Sequence, residues 1–167
     1  MIKTLNTYYL VLSICLGSCG IYSFSGASIS EDVKSVSIKT FENRALLSPP
    51  TLSNSLTEAL KDKFLSETNL TPLSEDGDLN FSGYISNYSI NPIAIQANET
   101  ASQNRLSISI KISFVNNTDE ENNYDKTFSR YVDYDSSQDF TSIEQSLNEE
   151  ITSQLIEDIF NEAFTNW

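Results

Sequence analysis

The chain has 167 residues, 10 Lys plus Arg against 23 Asp plus Glu, no His, and a formal charge of -13. Without His it cannot build a Ser-His-Asp triad, a Cys-His pair or a His-ligated zinc site. An acidic surface without clustered Lys and Arg also excludes nucleic acid as a partner, and excludes attraction to an anionic membrane through a basic patch.

In chain order, the first element is a leader. Lys3 supplies a positive start, and Tyr8 to Leu16 is an apolar run of secretory length, too short for the roughly 20 residues that span a bilayer. It ends in Leu16-Gly17-Ser18-Cys19, an aliphatic residue three places before a Cys with small residues between, the pattern of a bacterial lipobox. The expectation is a lipoprotein signal peptide over 1–18, acylation of Cys19, and a lipidated tether over 19–32. An ordinary cleavage site beside a Cys is the competing reading. Cys15 does not fit, because bulky Ile14 precedes it. More than one acyl chain gives stable anchoring, at about 0.8 kcal/mol per buried methylene, so the mature protein is expected on the membrane through its N-terminal lipid. Gly20 after the Cys, in place of an Asp, points to the outer membrane. Loss of residues 1–18 removes Lys3 and leaves 9 basic against 23 acidic side chains, a charge of -14.

Val33 to Phe41 alternates, with Val36 and Ile38 on one side and Ser35, Ser37 and Lys39 on the other, the period of a half-buried strand. Pro49-Pro50 then forbids helix, after which Leu52, Leu56, Ala59, Leu60 and Phe64 recur at helical spacing with Thr51 or Ser53 as cap. Asn69 to Asp78, with Pro72 and Asp76-Gly77, reads as turn.

Three strand-like runs follow: Leu79 to Ile85, Leu106 to Phe114 and Phe128 to Tyr134. In the middle one Leu106, Ile108, Ile110, Ile112 and Phe114 alternate with Ser107, Ser109, Lys111 and Ser113, predicting a sheet covered on one face and wet on the other. Pro92-Ile93-Ala94-Ile95 extends the first run at an edge. The last element is a helix opened by a capping box of Thr141 and Glu144, with an apolar stripe from Ile143 to Phe164 and Trp167 as a terminal core plug. Residues 33–167 thus form a single domain. Its expected fold is α+β, a two-layer sandwich in the order strand, helix, three strands, helix, with both helices on one face of a four-stranded mixed sheet. Strand one is expected parallel to strand two, and strands two to four antiparallel.

Candidate chemistry is sparse. From Asp133, the residues Asp135, Ser137, Asp139, Thr141 and Glu144 stand at the ligand offsets of an EF-hand loop, but Gln138 occupies the position that needs Gly and a strand precedes it. The competing reading is an acidic strand-to-helix connection. No nucleophile, base and orienter can be assembled, no cofactor motif is present, and no metal ligand set is assigned, so the protein is read as non-enzymatic. Arg44, Arg105 and Arg130 could meet an anionic headgroup or a partner's carboxylates; local ion pairs are the favoured reading.

Several stretches carry a resemblance. Cys19-Gly20-Ile21-Tyr22-Ser23-Phe24-Ser25-Gly26-Ala27, then Phe41-Glu42-Asn43-Arg44-Ala45, Leu52 to Phe64, Asn104-Arg105-Leu106, Phe128-Ser129-Arg130-Tyr131 and Asp158 to Trp167 resemble the LptE family of lipopolysaccharide-assembly lipoproteins. The resemblance implies a strand-helix-three-strand-helix domain that partners an LptD-like outer-membrane β-barrel, sits inside it as a plug and scaffold, and supports passage of lipopolysaccharide to the cell surface. It also implies contact with lipopolysaccharide through basic residues, which a charge of -14 opposes. The alternative function is a periplasmic or surface lipoprotein that binds calcium or a small ligand through the 133–144 loop.

Overall fold

A computed structural model describes residues 29–93 and 102–164. Cys15, Cys19, the tether to residue 28, Ala94, Ile95 and Trp167 lie outside these described residues.

Val36 and Ile38 place strand β1 (Ser35–Ile38) against the core, as the alternation requires. Ser37, expected on the wet side, is also buried. Its hydroxyl donates to Asn80 Oδ1, and the turn at Gly77 closes over it so tightly that a Cβ there would sit 2.7 Å from Ser37 N. Phe41 then dives into the core and the chain re-emerges as β2 (Glu42–Asn43).

Helix α1 (Leu52–Glu67) starts where Pro49-Pro50 predicts, with Leu52 N–H donating to Pro49 O. Thr51 occupies the N-cap position without a side-chain capping bond. Ser53, the other cap candidate, donates its hydroxyl to Phe41 O, while Thr57 accepts from Phe41 N–H at 3.0 Å and donates to Ser53 O. These two hydroxyls fasten the helix to the segment after β1 and satisfy backbone groups that burial would otherwise strand.

The sheet has six strands where four were expected: with β3 (Thr71–Leu73), β4 (Leu79–Ile93), β5 (Gln103–Asn116) and β6 (Tyr124–Asp135), the order is β3-β1-β4-β5-β6, and β2 also pairs with β4. The additions are β2 and β3, both too short for periodicity to register. Strand β3 falls in the stretch read as turn, and its Pro72 is tolerated because β3 is an edge strand. Strand β1 runs parallel to β4, which forms an antiparallel meander with β5 and β6. All three are longer than their apolar runs. The edge extension reaches Ile93. A bulge at Ser86 shifts the β4 register, so Leu79, Phe81 and Ile85 face the core before it and Tyr88 does after it.

The core lies between one sheet face and both helices. A run of rings crosses it: Phe64 of α1 meets Phe81 of β4 at 5.0 Å and Phe160 of helix α2 (Phe140–Phe164) at 5.1 Å, and Phe81 meets Phe114 of β5 at 4.7 Å. The predicted stripe of α2 is buried from Leu147 to Ala163. Its capping box is not formed. The helix begins at Phe140, placing Thr141 inside it, and Glu144 instead accepts the Tyr88 hydroxyl at 2.8 Å.

Candidate docking surfaces

With one sheet face buried, the other is the first surface that could meet a partner. The pairing register puts Ser82 opposite Ser113, Tyr84 opposite Lys111, Asn87 opposite Ser109 and Ser89 opposite Ser107. Ser129 of β6 continues the lane and donates to the Ser109 hydroxyl at 2.8 Å. None of these side chains is buried. The face is broad, polar and lined with small hydroxyls, as the Ser-rich alternation of β5 predicts.

Its two ends repeat one arrangement. Arg44 lies 3.9 Å over the Tyr84 ring and pairs with Glu42 at 2.7 Å; Arg105 lies 3.6 Å over the Tyr131 ring and holds Asp133 with two bonds of 2.7 and 2.8 Å. The Arg105 guanidinium keeps the Asp133 carboxyl below the ordinary carboxylate range. Arg130 points the other way, from the helix-covered face of β6, and pairs with Asp158 of α2. All three arginines therefore form local ion pairs, which leaves none of them as an uncommitted basic group. Lys111, near the centre of the open face, has no carboxylate partner among the described residues.

The 133–144 residues do not converge on a cation. Asp133 is committed to Arg105, Asp135 accepts from Ser137 N–H at 2.8 Å, and Glu144 is drawn toward Tyr88. Among the described residues no three His, Cys, Asp or Glu side chains are placed to share a metal. The acidic strand-to-helix connection is the reading this geometry supports.

The second surface was not foreseen. Between α1 and α2 runs an open groove of about 1020 Å³, from Thr51 and Thr141 at one end to Ser66 and Glu157 at the other. The helices meet at their C-terminal halves through Phe64 and Phe160 and leave a gap beside Ser55 and Ala59. Its signal in the sequence is the small residues on the two facing walls, Ser55 and Ala59 on α1 and Thr152 and Ser153 on α2. They are too short to fill the space between two helix axes, which pack 8–10 Å apart when side chains interdigitate.

The sequence model of the LptE family, described as lipopolysaccharide-assembly, matches residues 33–163. No curated protein matches the chain. Among solved structures, a minor lipoprotein from Acinetobacter baumannii is similar at 12% identity and a TM-score of 0.53, over 80% of this chain and 94% of that one. A lipoprotein B from Nitrosomonas europaea is similar at 10% identity and a TM-score of 0.52, over 80% of this chain and 84% of that one. A Xanthomonas campestris protein is similar at 8% identity and a TM-score of 0.53, over 80% and 85%. At such identities the likeness is one of fold.

Proposed function

We propose, from the premise that this chain belongs to the LptE lipopolysaccharide-assembly family, that it is an outer-membrane lipoprotein that plugs and scaffolds an LptD-like β-barrel. The observation that carries this reading is the family match itself, which takes in all six strands and nearly all of both helices. The surfaces suit it. The lumen of a large barrel is polar and wet, and this domain turns outward a hydroxyl-lined sheet face on one side and acidic helices on the other. No described helix is long and apolar enough to cross a membrane, so attachment falls to Cys19, acylated after removal of residues 1–18, with 19–32 as the tether and 33–167 as the single LptE-like domain. The role is non-catalytic: it supports barrel assembly and lipopolysaccharide passage. With Arg44, Arg105 and Arg130 each paired to a carboxylate, the scaffold role does not depend on direct glycolipid contact through them.

The test is co-purification. When outer membranes are solubilised in mild detergent, a tagged full-length copy is expected to bring down one large β-barrel protein whose gel mobility shifts on boiling. A preparation free of any barrel overturns the plug.

A further inference from the structure

The groove between α1 and α2 holds more hydrogen-bond acceptors than the protein itself satisfies. Asp62 on its α1 wall forms no ion pair among the described residues. Glu144 gives one oxygen to Tyr88 and Glu149 one to Gln145, each with a second oxygen left for another donor. Asn148 lines the same wall, but its Oδ1 is closed off from solvent and is not one of these acceptors. The one basic residue on the walls, Lys63, is already held by Glu157 at 2.7 Å and Glu67 at 3.6 Å. The floor adds apolar surface at Ala59, with Leu52 and Ile156 buried beneath it.

We propose that this groove docks a basic amphipathic helix of a partner protein, its Lys or Arg side chains meeting Asp62, Glu144 and Glu149 and its apolar side chains resting against Ala59. Shape and charge select this occupant. The α1 wall runs from Leu52 to Ser66, about 20 Å at 1.5 Å per residue, the length of four helical turns. Small side chains along both walls let a third helix approach closely, the arrangement of helix-in-groove recognition. A segment of this chain does not fit. Outside the described residues the only basic side chain is Lys3, within the leader. The complementary charge therefore comes from another protein.

The experiment places a photo-crosslinking benzoylphenylalanine at Ser55, Ser153 or Ser107 of the full-length protein in intact cells, and identifies the crosslinked peptide by mass spectrometry. Ser55 and Ser153 are exposed on the groove walls, so these substitutions leave the core alone; Ser107 reports on the open sheet face. The groove positions are expected to capture a helical segment with Lys or Arg repeating every three or four residues. Its yield should fall at least fivefold with Asp62→Asn and Glu149→Gln together, and by less than twofold with Glu120→Gln and Asp125→Asn, which remove equal charge elsewhere. Equal loss in both pairs, capture of a segment without basic residues, or no groove crosslink overturns the proposal. A barrel crosslinked only through Ser107 overturns it while supporting the plug.

Discussion

Asp78 shows how much one carboxylate holds in place. Its Oδ2 accepts from the backbone N–H groups of Lys34 and Ser35, both at 2.9 Å, and from the Ser35 hydroxyl at 2.8 Å, and its own N–H donates back to that hydroxyl. It therefore locks the start of β1 to the start of β4, two parallel strands far apart in sequence. The Lys34 N–H and the Ser35 hydroxyl hold its carboxyl below the usual range, more than desolvation raises it. A depressed folded-state pKa means the stabilisation is complete above the ordinary carboxylate range near 4 and is lost as pH falls through the lower folded value. Asp78→Asn keeps the shape and removes the charge. Because the site is partly exposed, the expected loss in urea denaturation at pH 7 is about 1–2 kcal/mol. The gap should narrow as pH falls through the lowered folded-state value and the native carboxyl takes up a proton; a gap that does not narrow in acid would show that charge is not what Asp78 contributes. The same scale shows what residues reveal unaided. That Arg44, Arg105 and Arg130 form local ion pairs was legible from their isolation in an acidic chain. That Glu144 would serve Tyr88 was not, because the two are 56 positions apart and meet only when β4 and α2 share a core.

Among the elements, periodicity located both helices and the three long strands because each buries one continuous stripe, and it failed where a stripe is absent or interrupted. Strand β2 has two residues and the three of β3 are all exposed, so neither carries a pattern. The bulge at Ser86 moves the core face from odd to even positions, which hides the second half of β4 from any fixed alternation. The groove was missed for a related reason: a gap between helices is defined by what small residues fail to fill, and Ser55 and Ala59 look unremarkable in sequence. Gly83 is the position where the β4–β5 pairing is least forgiving. A Cβ there would lie 2.2 Å from Lys111 O and 3.2 Å from Ile112 Cδ1, so backbone rather than a flexible side-chain end would have to move. Gly83→Ala is expected to cost about 2–3 kcal/mol, against less than about 0.5 for Ser82→Ala on the adjoining open face. Equal midpoints for the two variants in urea would show that the strands can part there without penalty.

For the whole molecule, the arrangement of charge decides how it can be held at a membrane. Basic side chains on the described surface are few, and Arg44, Lys61, Lys63, Arg105, Lys126 and Arg130 are each paired with a carboxylate, while the whole sequence carries -13. An anionic leaflet attracts polybasic segments by about 1 kcal/mol per charge near its surface; here the net effect is repulsion. No described helix is long and apolar enough to cross a membrane. The two proposed attachments, the acyl chains on Cys19 and the partner barrel, can be separated. In a host without a cognate barrel, the wild-type chain is expected to stay with membranes through high-salt and carbonate washes. A chain carrying Cys19→Ala behind a leader cut by the general signal peptidase should appear wholly in the soluble fraction, since no basic patch provides a second hold. Its melting temperature should match that of the lipidated form, because the core runs from Val33 to Ala163 and its one described tether contact, Ile29, is present in both proteins. Retention of the Cys19→Ala protein on barrel-free membranes would show that something other than the lipid anchors it, and would remove Cys19 as the attachment point.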